Sequence, residues 1–230
     1  MELNYFHLFS PITYMLFVSL IKNITPIPKS NTMRTLRTYH NIFLCFLSTF
    51  MFLGMIIANI IDSKFHSIYA FFCNNYSTNN WIANYTTNAF LWSKYLEWGD
   101  TLFIHLSNRP ITNLQYTHHM STSLLAYLNV MDYISPSIHI CLVLNAFVHI
   151  PMYWYFAYPK GLLYPFRKII TISQIFQHVL CLITISYSYF QENCHTTPYA
   201  IEVSLLAYLM YLIYFSMFYC QTFLKRKKNP

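Results

Sequence analysis

The chain has 230 residues, of which 56% are hydrophobic, 20% aromatic and only 9% charged, with 3 glycines. Soluble domains carry roughly 25% charged residues, and disordered chains pair low hydrophobicity with high net charge. The composition therefore predicts an all-α polytopic membrane protein rather than a soluble helical protein with a large core. The net charge of +7 does not point to nucleic acid, because the basic residues sit in short connections and at the C-terminus, where membrane topology is encoded.

Crossing the hydrocarbon takes about 20 mostly apolar residues. Seven segments qualify in chain order: 5–21 (short), 39–61, 88–106, 112–133, 137–158, 169–190 and 200–224. Their long unbroken runs of Phe, Leu, Ile and Tyr are helical, not the short alternating strands of a membrane barrel. Pro151 lies inside the fifth segment and is expected to kink or open that helix. No internal repeat or low-complexity linker interrupts the chain, so residues 1–230 are taken as one domain.

Seven spans place the termini on opposite sides. The connections sharing a side with the C-terminus hold Lys22, Lys29, Arg34 and Arg37, then Arg109, then Lys160, Arg167 and Lys168, and the tail adds Lys225, Arg226, Lys227 and Lys228. The other side has Lys64 as its only basic residue, with Glu2, Asp62, Asp132 and Glu192. This asymmetry puts the C-terminus in the cytosol and the N-terminus in the lumen. Two luminal features agree: the glycosylation sequons at Asn75 and Asn84, and a cysteine in each of two luminal connections, Cys73 and Cys194. These two cysteines form a disulfide in one reading and stay reduced in the other. Cys45, Cys141, Cys181 and Cys220 fall within spans and are expected to pack as small apolar residues. The first span lacks the basic leader and cleavage site of a signal peptide. Lys227 and Lys228, near the C-terminal Pro230, resemble a dilysine retrieval signal of endoplasmic-reticulum membrane proteins, the alternative being a basic cluster held by anionic lipid.

Ionisable groups inside a bilayer are costly, about 2.5–3.5 kcal/mol for Lys or Asp at a helix centre, so several of them together imply a protein-lined cavity. Residues three and four apart share a helix face. Lys94, Glu97 and Thr101, with Asp100 close by, form a stripe on the third segment, and Gln115, His118 and His119 one on the fourth. Asn145, His149 and Met152 with Tyr153 follow on the fifth, and Gln174, Gln177, His178 and Cys181 on the sixth. Pointing all four stripes at one interior is the simplest arrangement. His105, His139 and Gln221 are read as interhelical hydrogen-bonding glue, and His7, His40, His66 and His195 as interfacial or loop residues without a role. The pair His118–His119 with His149 looks like nucleophile and acid–base equipment, or metal ligands.

These residues resemble the ELO family of fatty-acid elongases. Tyr39-His40-Asn41 looks like the start of the family's second helix, and Lys94-x-x-Glu97-x-x-Asp100-Thr101 matches its KxxExxDT motif. Gln115-x-x-His118-His119 stands at its HxxHH box. Asn145-x-x-Val148-His149-x-x-Met152-Tyr153-x-Tyr155 matches NxxVHxxMYxYY, and Thr171-x-x-Gln174-x-x-Gln177 matches TxxQxxQ. One position departs: the box's first histidine is Gln115, which hydrogen-bonds but does not titrate at physiological pH.

The resemblance implies seven transmembrane helices enclosing a central substrate tunnel in the endoplasmic-reticulum membrane. Its chemistry is the decarboxylative condensation of a long-chain acyl-CoA with malonyl-CoA to a 3-oxoacyl-CoA, with no resident metal or cofactor. His118 would attack the thioester, giving an acyl-imidazole, while His119 and His149 handle protons or oxyanion charge. Asn145 and Gln174 would stabilise developing charge, and Lys94, Glu97 and Asp100 would position the histidines. Thr101, Met152, Tyr153 and Gln177 complete the motif positions. CoA phosphates would meet Arg109, Arg167 and Lys168 on the cytosolic side, and the acyl tail would run toward the lumen. Membrane lipid, other enzymes of the elongation cycle and a second copy of the chain are the partners this reading admits. Two rival readings are a di-iron desaturase or hydroxylase, since QxxHH also occurs in a desaturase histidine box, and a non-enzymatic seven-helix receptor or lipid transporter. The first needs more imidazole ligands than one adjacent pair; the second is usually marked by repeats and glycine-broken helices.

Overall fold

A computed structural model describes residues 5–28, 30–74, 76–77, 79–131, 136–191, 194 and 198–224. Glu2, Lys29, the Asn75 sequon residue, Asp132, Glu192, His195 and the tail from Lys225 to Pro230, with its dilysine pair, lie outside them. The described chain is helical: α1 (Tyr5–Leu8), α2 (Ser10–Lys22), α3 (Asn31–Ile61), α4 (Ile68–Cys73), α5 (Trp81–Leu96), α6 (Trp98–Leu106), α7 (Asn113–Met131), α8 (Pro136–Ala157), α9 (Arg167–Tyr189) and α10 (Pro198–Tyr219).

Local chemistry sets several boundaries beyond the apolar runs. α3 starts at Asn31 because Ser30 caps it, its hydroxyl accepting the Met33 amide at 3.3 Å. α5 starts at Trp81 because the Asn80 side chain accepts the Ala83 amide at 3.1 Å. The third apolar segment breaks at Glu97. The Glu97 amide still bonds Ser93 four residues back, but the Asp100 amide bonds Glu97 only three back, at 3.0 Å. That tightened turn separates α5 from α6. α8 passes through Pro151 as one helix. The thiol of Cys45 on α3 donates to the Ile150 carbonyl at 3.4 Å, a cross-helix bond next to the residue that lacks an amide.

Among the described residues, four helical stretches are long and apolar enough to cross a membrane: Asn31–Ile61, His139–Ala157, Tyr164–Tyr189 and Ala200–Leu224. The other expected spans are helical but shorter or more polar. α2 has 13 residues, the Glu97 break leaves 16 and 9, and α7 is diluted by Gln115, His118, His119, Ser121, Thr122 and Ser123. The outer faces carry exposed apolar stripes, as in Phe43, Phe46, Phe50, Leu53 and Ile57 of α3. Contiguous apolar surface of this kind marks a lipid contact.

Helix neighbours close a ring. α3 packs on α8, α8 on α9, α9 on α10, α10 on α7, α7 on α5, and α5 back on α3, while α2 lies against α6 and α7 outside it. Gly54 permits the α3–α5 approach, since a Cβ there would sit 2.6 Å from the Thr86 hydroxyl. Between α9 and α10, Cys181, Ile185, Tyr208 and Tyr211 form a buried cluster with Leu125 and Cys141. Cys141 and Cys181 thus pack as expected, whereas Cys220 is exposed, in the turn Cys220–Leu224 that buries none of its residues.

At the end of the ring where α3 finishes, Lys64 is buried rather than solvated. Its ammonium lies 4.2 Å over the Tyr76 ring and donates to the Asn74 carbonyl. Burial pushes the Lys64 pKa down to about 8, against the opposing pull of Asp62. The Tyr76 hydroxyl in turn donates to Asn59 at 2.9 Å. Cys73, at the end of α4, is disulfide-bonded to Cys194 across 121 residues of sequence. Closing a loop of that length restricts the unfolded chain strongly, by roughly 4–5 kcal/mol in the chain-entropy account. Cys73→Ser is therefore expected to destabilise the protein by about 2–5 kcal/mol, read as a lower thermal midpoint and faster proteolysis, and a reductant should lower the parent protein to the same level without further affecting the variant.

Candidate functional site

The interior of the ring is organised around one ammonium. Lys94, 2% exposed on α5, donates to Glu97 Oε1 at 2.7 Å and to Asn145 Oδ1 of α8 at 3.0 Å, and its nitrogen lies 4.3 Å from the Phe90 ring centre. A lysine this deep is tolerated because a carboxylate and an amide oxygen replace its water. Glu97 Oε2 is buried without a hydrogen-bond partner among the described residues. The carboxylate is also within electrostatic reach of His119 and His149. The backbone carbonyl of Asn145 accepts from His149 Nδ1 at 2.7 Å. A carbonyl only accepts, so Nδ1 carries the proton and the lone pair of His149 sits on Nε2.

Four of the stripes read from the sequence meet here. Lys94 of α5, His118 of α7, Asn145 of α8 and Gln177 of α9 line one cavity, closed on the remaining side by Tyr208 and Tyr211 of α10. On α7 the lining runs from His118 through Thr122 and Leu125 to Asn129. At 1.5 Å per residue that is a path of about 16 Å. The free volume is about 30 Å³, room for one or two waters, which need about 10–15 Å³ each. An acyl chain does not fit at this width, so the expected open tunnel is here a narrow seam between helices. The Tyr211 hydroxyl shares a 2.7 Å hydrogen bond with Ser121, and its ring lies 5.0 Å from that of His118.

The other expected residues take different places. His119, one residue and about 100° around the helix from His118, turns toward α2 and α6, its ring 6.4 Å from that of Tyr14. Its carbonyl accepts from Trp98 Nε1 at 3.3 Å. Gln115 donates to Thr101 Oγ1 at 3.3 Å, and the Thr101 hydroxyl also shares a 2.8 Å bond with Tyr14. Gln115 lines a separate, wider pocket of about 270 Å³ with Asp100, Arg37, Arg109 and Tyr155, at the end of the ring where α3 and α7 begin. Asp100 accepts from Tyr153 at 3.1 Å and lies 3.1 Å from His40 Nε2. Gln174 is not at the cavity; its amide donates to the Met152 sulfur at 3.1 Å.

Several sequence expectations are corrected by these contacts. His40 is not an idle interfacial residue: it bridges α3 to α6 through Asp100. The signal was present in Tyr39-His40-Asn41 ahead of an apolar run, where a histidine facing inward has to find a partner. His7 likewise bonds the Tyr95 hydroxyl at 2.7 Å. Of the residues read as glue, His105 does tether Ile24 at 2.9 Å, but His139 has no hydrogen-bond partner among the described residues and instead meets the Tyr76 ring edge-on at 3.9 Å. Arg167 and Lys168 do not join Arg109. Arg167 bonds the Tyr164 carbonyl and covers that ring, and Lys168 lies 5.7 Å from the Tyr219 ring centre. The partners of Arg109 are Arg34 and Arg37 of α3, and the three line a pocket of about 390 Å³ with Ser30, Asn31 and Ser107. The Arg37 Nε is buried without a hydrogen-bond partner among the described residues. Three guanidinium groups around one hollow, with no carboxylate bonded to them among the described residues, suit a multiply charged anion.

Gly99 makes the His40–Asp100 pair possible, because a Cβ there would lie 2.7 Å from His40 Cε1. Gly99→Ala is expected to push the imidazole off Asp100, leaving the helix fold in place but lowering stability by about 1.5–3 kcal/mol, the worth of a hydrogen bond to a charged group. Thermal midpoints check this, and His40→Gln should give a similar loss.

The profile of the GNS1/SUR4 family, ELO, matches residues 2–230. Fatty acid elongase A of Dictyostelium discoideum is 32% identical over 143 residues, 62% of this chain and 52% of that protein. Fatty acid elongase 3 of Trypanosoma brucei brucei is 31% identical over 153 residues, covering 63% and 49%. Very long chain fatty acid elongase 3 of Homo sapiens is 30% identical over 158 residues, covering 64% and 58%. The chain spans about half the length of these curated relatives. With the family profile matched from the second residue to the last, and its polar motifs converging inside one ring of helices, this chain belongs to the GNS1/SUR4 (ELO) family.

Proposed function

We propose that the protein is a fatty-acid elongase condensing enzyme that joins a long-chain acyl-CoA to malonyl-CoA with loss of carbon dioxide. The observation that supports this most is the convergence of His118, Lys94, Asn145 and Gln177, from four helices, on one cavity. An imidazole half-buried beside amide donors and a fixed ammonium suits acyl transfer. His118 attacks the thioester carbonyl and becomes acylated. The oxyanion that forms needs donors already in place. Because Asn145 Oδ1 faces Lys94, its NH₂ group is the end free to donate. His149, with its lone pair on Nε2, serves as the second imidazole of the reaction, held in orientation by its bond to the Asn145 carbonyl. His119 and Glu97 act behind this layer, fixing α7 and Lys94.

The acyl chain enters the seam along α7 from His118 toward Asn129, spreading the ring as it binds. The CoA phosphates occupy the hollow formed by Arg34, Arg37 and Arg109, which opens at the ring end next to Gln115 and Asp100. In this reading all seven apolar segments span the endoplasmic-reticulum membrane, with the arginine end and the C-terminus cytosolic and the N-terminus and the Cys73–Cys194 bridge luminal. Positive residues on the cytosolic side fit that orientation. Other elongation-cycle enzymes and a second copy of this chain are the expected neighbours.

The test supplies purified protein in lipid with acyl-CoAs of graded length and carboxyl-labelled malonyl-CoA. Acyl-CoA-dependent release of labelled carbon dioxide is expected, and His118→Ala should lower it by at least about 1,000-fold, near the scale of losing a catalytic group outright. Full condensing activity in His118→Ala would sink the assignment.

A further inference from the structure

The cavity holds one imidazole that the proposed chemistry leaves unused. His178, on α9 next to Gln177, is 2% exposed, and neither of its ring nitrogens has a hydrogen-bond partner among the described residues. Buried polar atoms are nearly always paired, and a phenylalanine at this position would pack without stranding two of them. His178 borders the same cavity as His118, Lys94 and Asn145. The two imidazoles rest on the same pair of α10 rings. His118 lies 5.0 Å from Tyr211 and 5.9 Å from Phe215; His178 lies 5.6 Å and 5.0 Å from them. The space in the cavity, about 30 Å³, takes a bridging water. The alternatives within the site are placed less well: His149 has one nitrogen committed to Asn145, and His119 faces α2.

We propose that His178 is the proton-relay partner of His118, an inference that rests on the acyl-imidazole reading above. When His118 attacks the thioester, a C–N bond forms, the C–S bond breaks and CoA departs as thiolate. The imidazole then has to shed its remaining N–H proton to become a neutral acyl-imidazole. His178 takes that proton through the cavity water. In the second step malonyl-CoA loses carbon dioxide, its carbanion attacks the acyl carbon, a C–C bond forms and the C–N bond breaks. The departing His118 imidazolate takes the proton back from His178. The pair gains and loses no proton over a turnover, and His178 is charged only while His118 carries the acyl group.

The experiment uses the full chain in lipid nanodiscs, mixed first with acyl-CoA alone. It follows release of free thiol and the mass of the protein adduct, then adds malonyl-CoA. His178→Ala is expected to slow the acylation burst about 100-fold, with KM for acyl-CoA within about twofold and the thermal midpoint little changed. Added imidazole should restore part of that rate by entering the vacated space. His178→Phe, which fills the space, should be as slow and not rescued. Parent-like bursts in both variants overturn the relay. So does a defect in His178→Ala that His178→Phe corrects, because packing alone then accounts for the residue. If the parent protein forms no adduct on His118, the acyl-imidazole reading itself fails and takes the relay with it, a result seen before any variant is made.

Discussion

The buried ammonium of Lys94 is the constraint around which the rest of the interior is arranged. It joins the residue at which the third apolar segment breaks, Glu97, to the helix that carries Asn145 and His149. Removing either partner strands a charge or a polar group in the buried interior, so α5 and α8 are held in one register by the cost of the alternatives. That register in turn presents Asn145 to the cavity and His149 one turn further along. His118 and Gln177 complete the lining from the opposite wall. The exposed apolar stripes outside and the ionic contact inside are two halves of one design, in which lipid meets hydrocarbon and the charges meet one another.

The two ends of the ring differ in a way that suits a polar ligand with a hydrocarbon tail. At one end three guanidinium groups surround an open hollow, and Asp100 is fixed by Tyr153 and His40. At the other, Lys64, Tyr76 and Asn59 form a compact cluster beside the Cys73–Cys194 bridge. Between them lies a seam lined on α7 by Thr122, Leu125, Ala126 and Asn129, too narrow for a chain until the helices part. Rotamer and helix shifts of that kind fit the sparse polar bonding along the seam, where Ser204 reaches Asn129 only at 3.5 Å.

Much of this was legible from residue spacing. The polar stripes of four successive helices do converge, because only the interior of the ring can satisfy groups that lipid rejects. The stripe that carries Lys94 and Glu97 followed from their separation by three residues, and in the fold the two form an ion pair. What spacing could not supply was the phase of one helix against another. His118 and His119 are adjacent in sequence yet face different neighbours, and Gln115 belongs to the outer pocket rather than the inner one. His40 was passed over because its partner lies 60 residues away on a different helix. Arg34 and Arg37 read as topology signals, and only the folded chain sets them beside Arg109. His178 read as one member of a stripe; that its two nitrogens have no partner among the described residues becomes visible only in the folded chain.

Lys94 and Glu97 act as one buried unit. The most direct measurement compares thermal and chemical stability of Lys94→Met, Glu97→Gln and the double variant in the same lipid or detergent. Each single change is expected to destabilise the protein by about 3–5 kcal/mol, and the double change to lose much less than their sum. Additive losses, or single variants as stable as the parent, would contradict it.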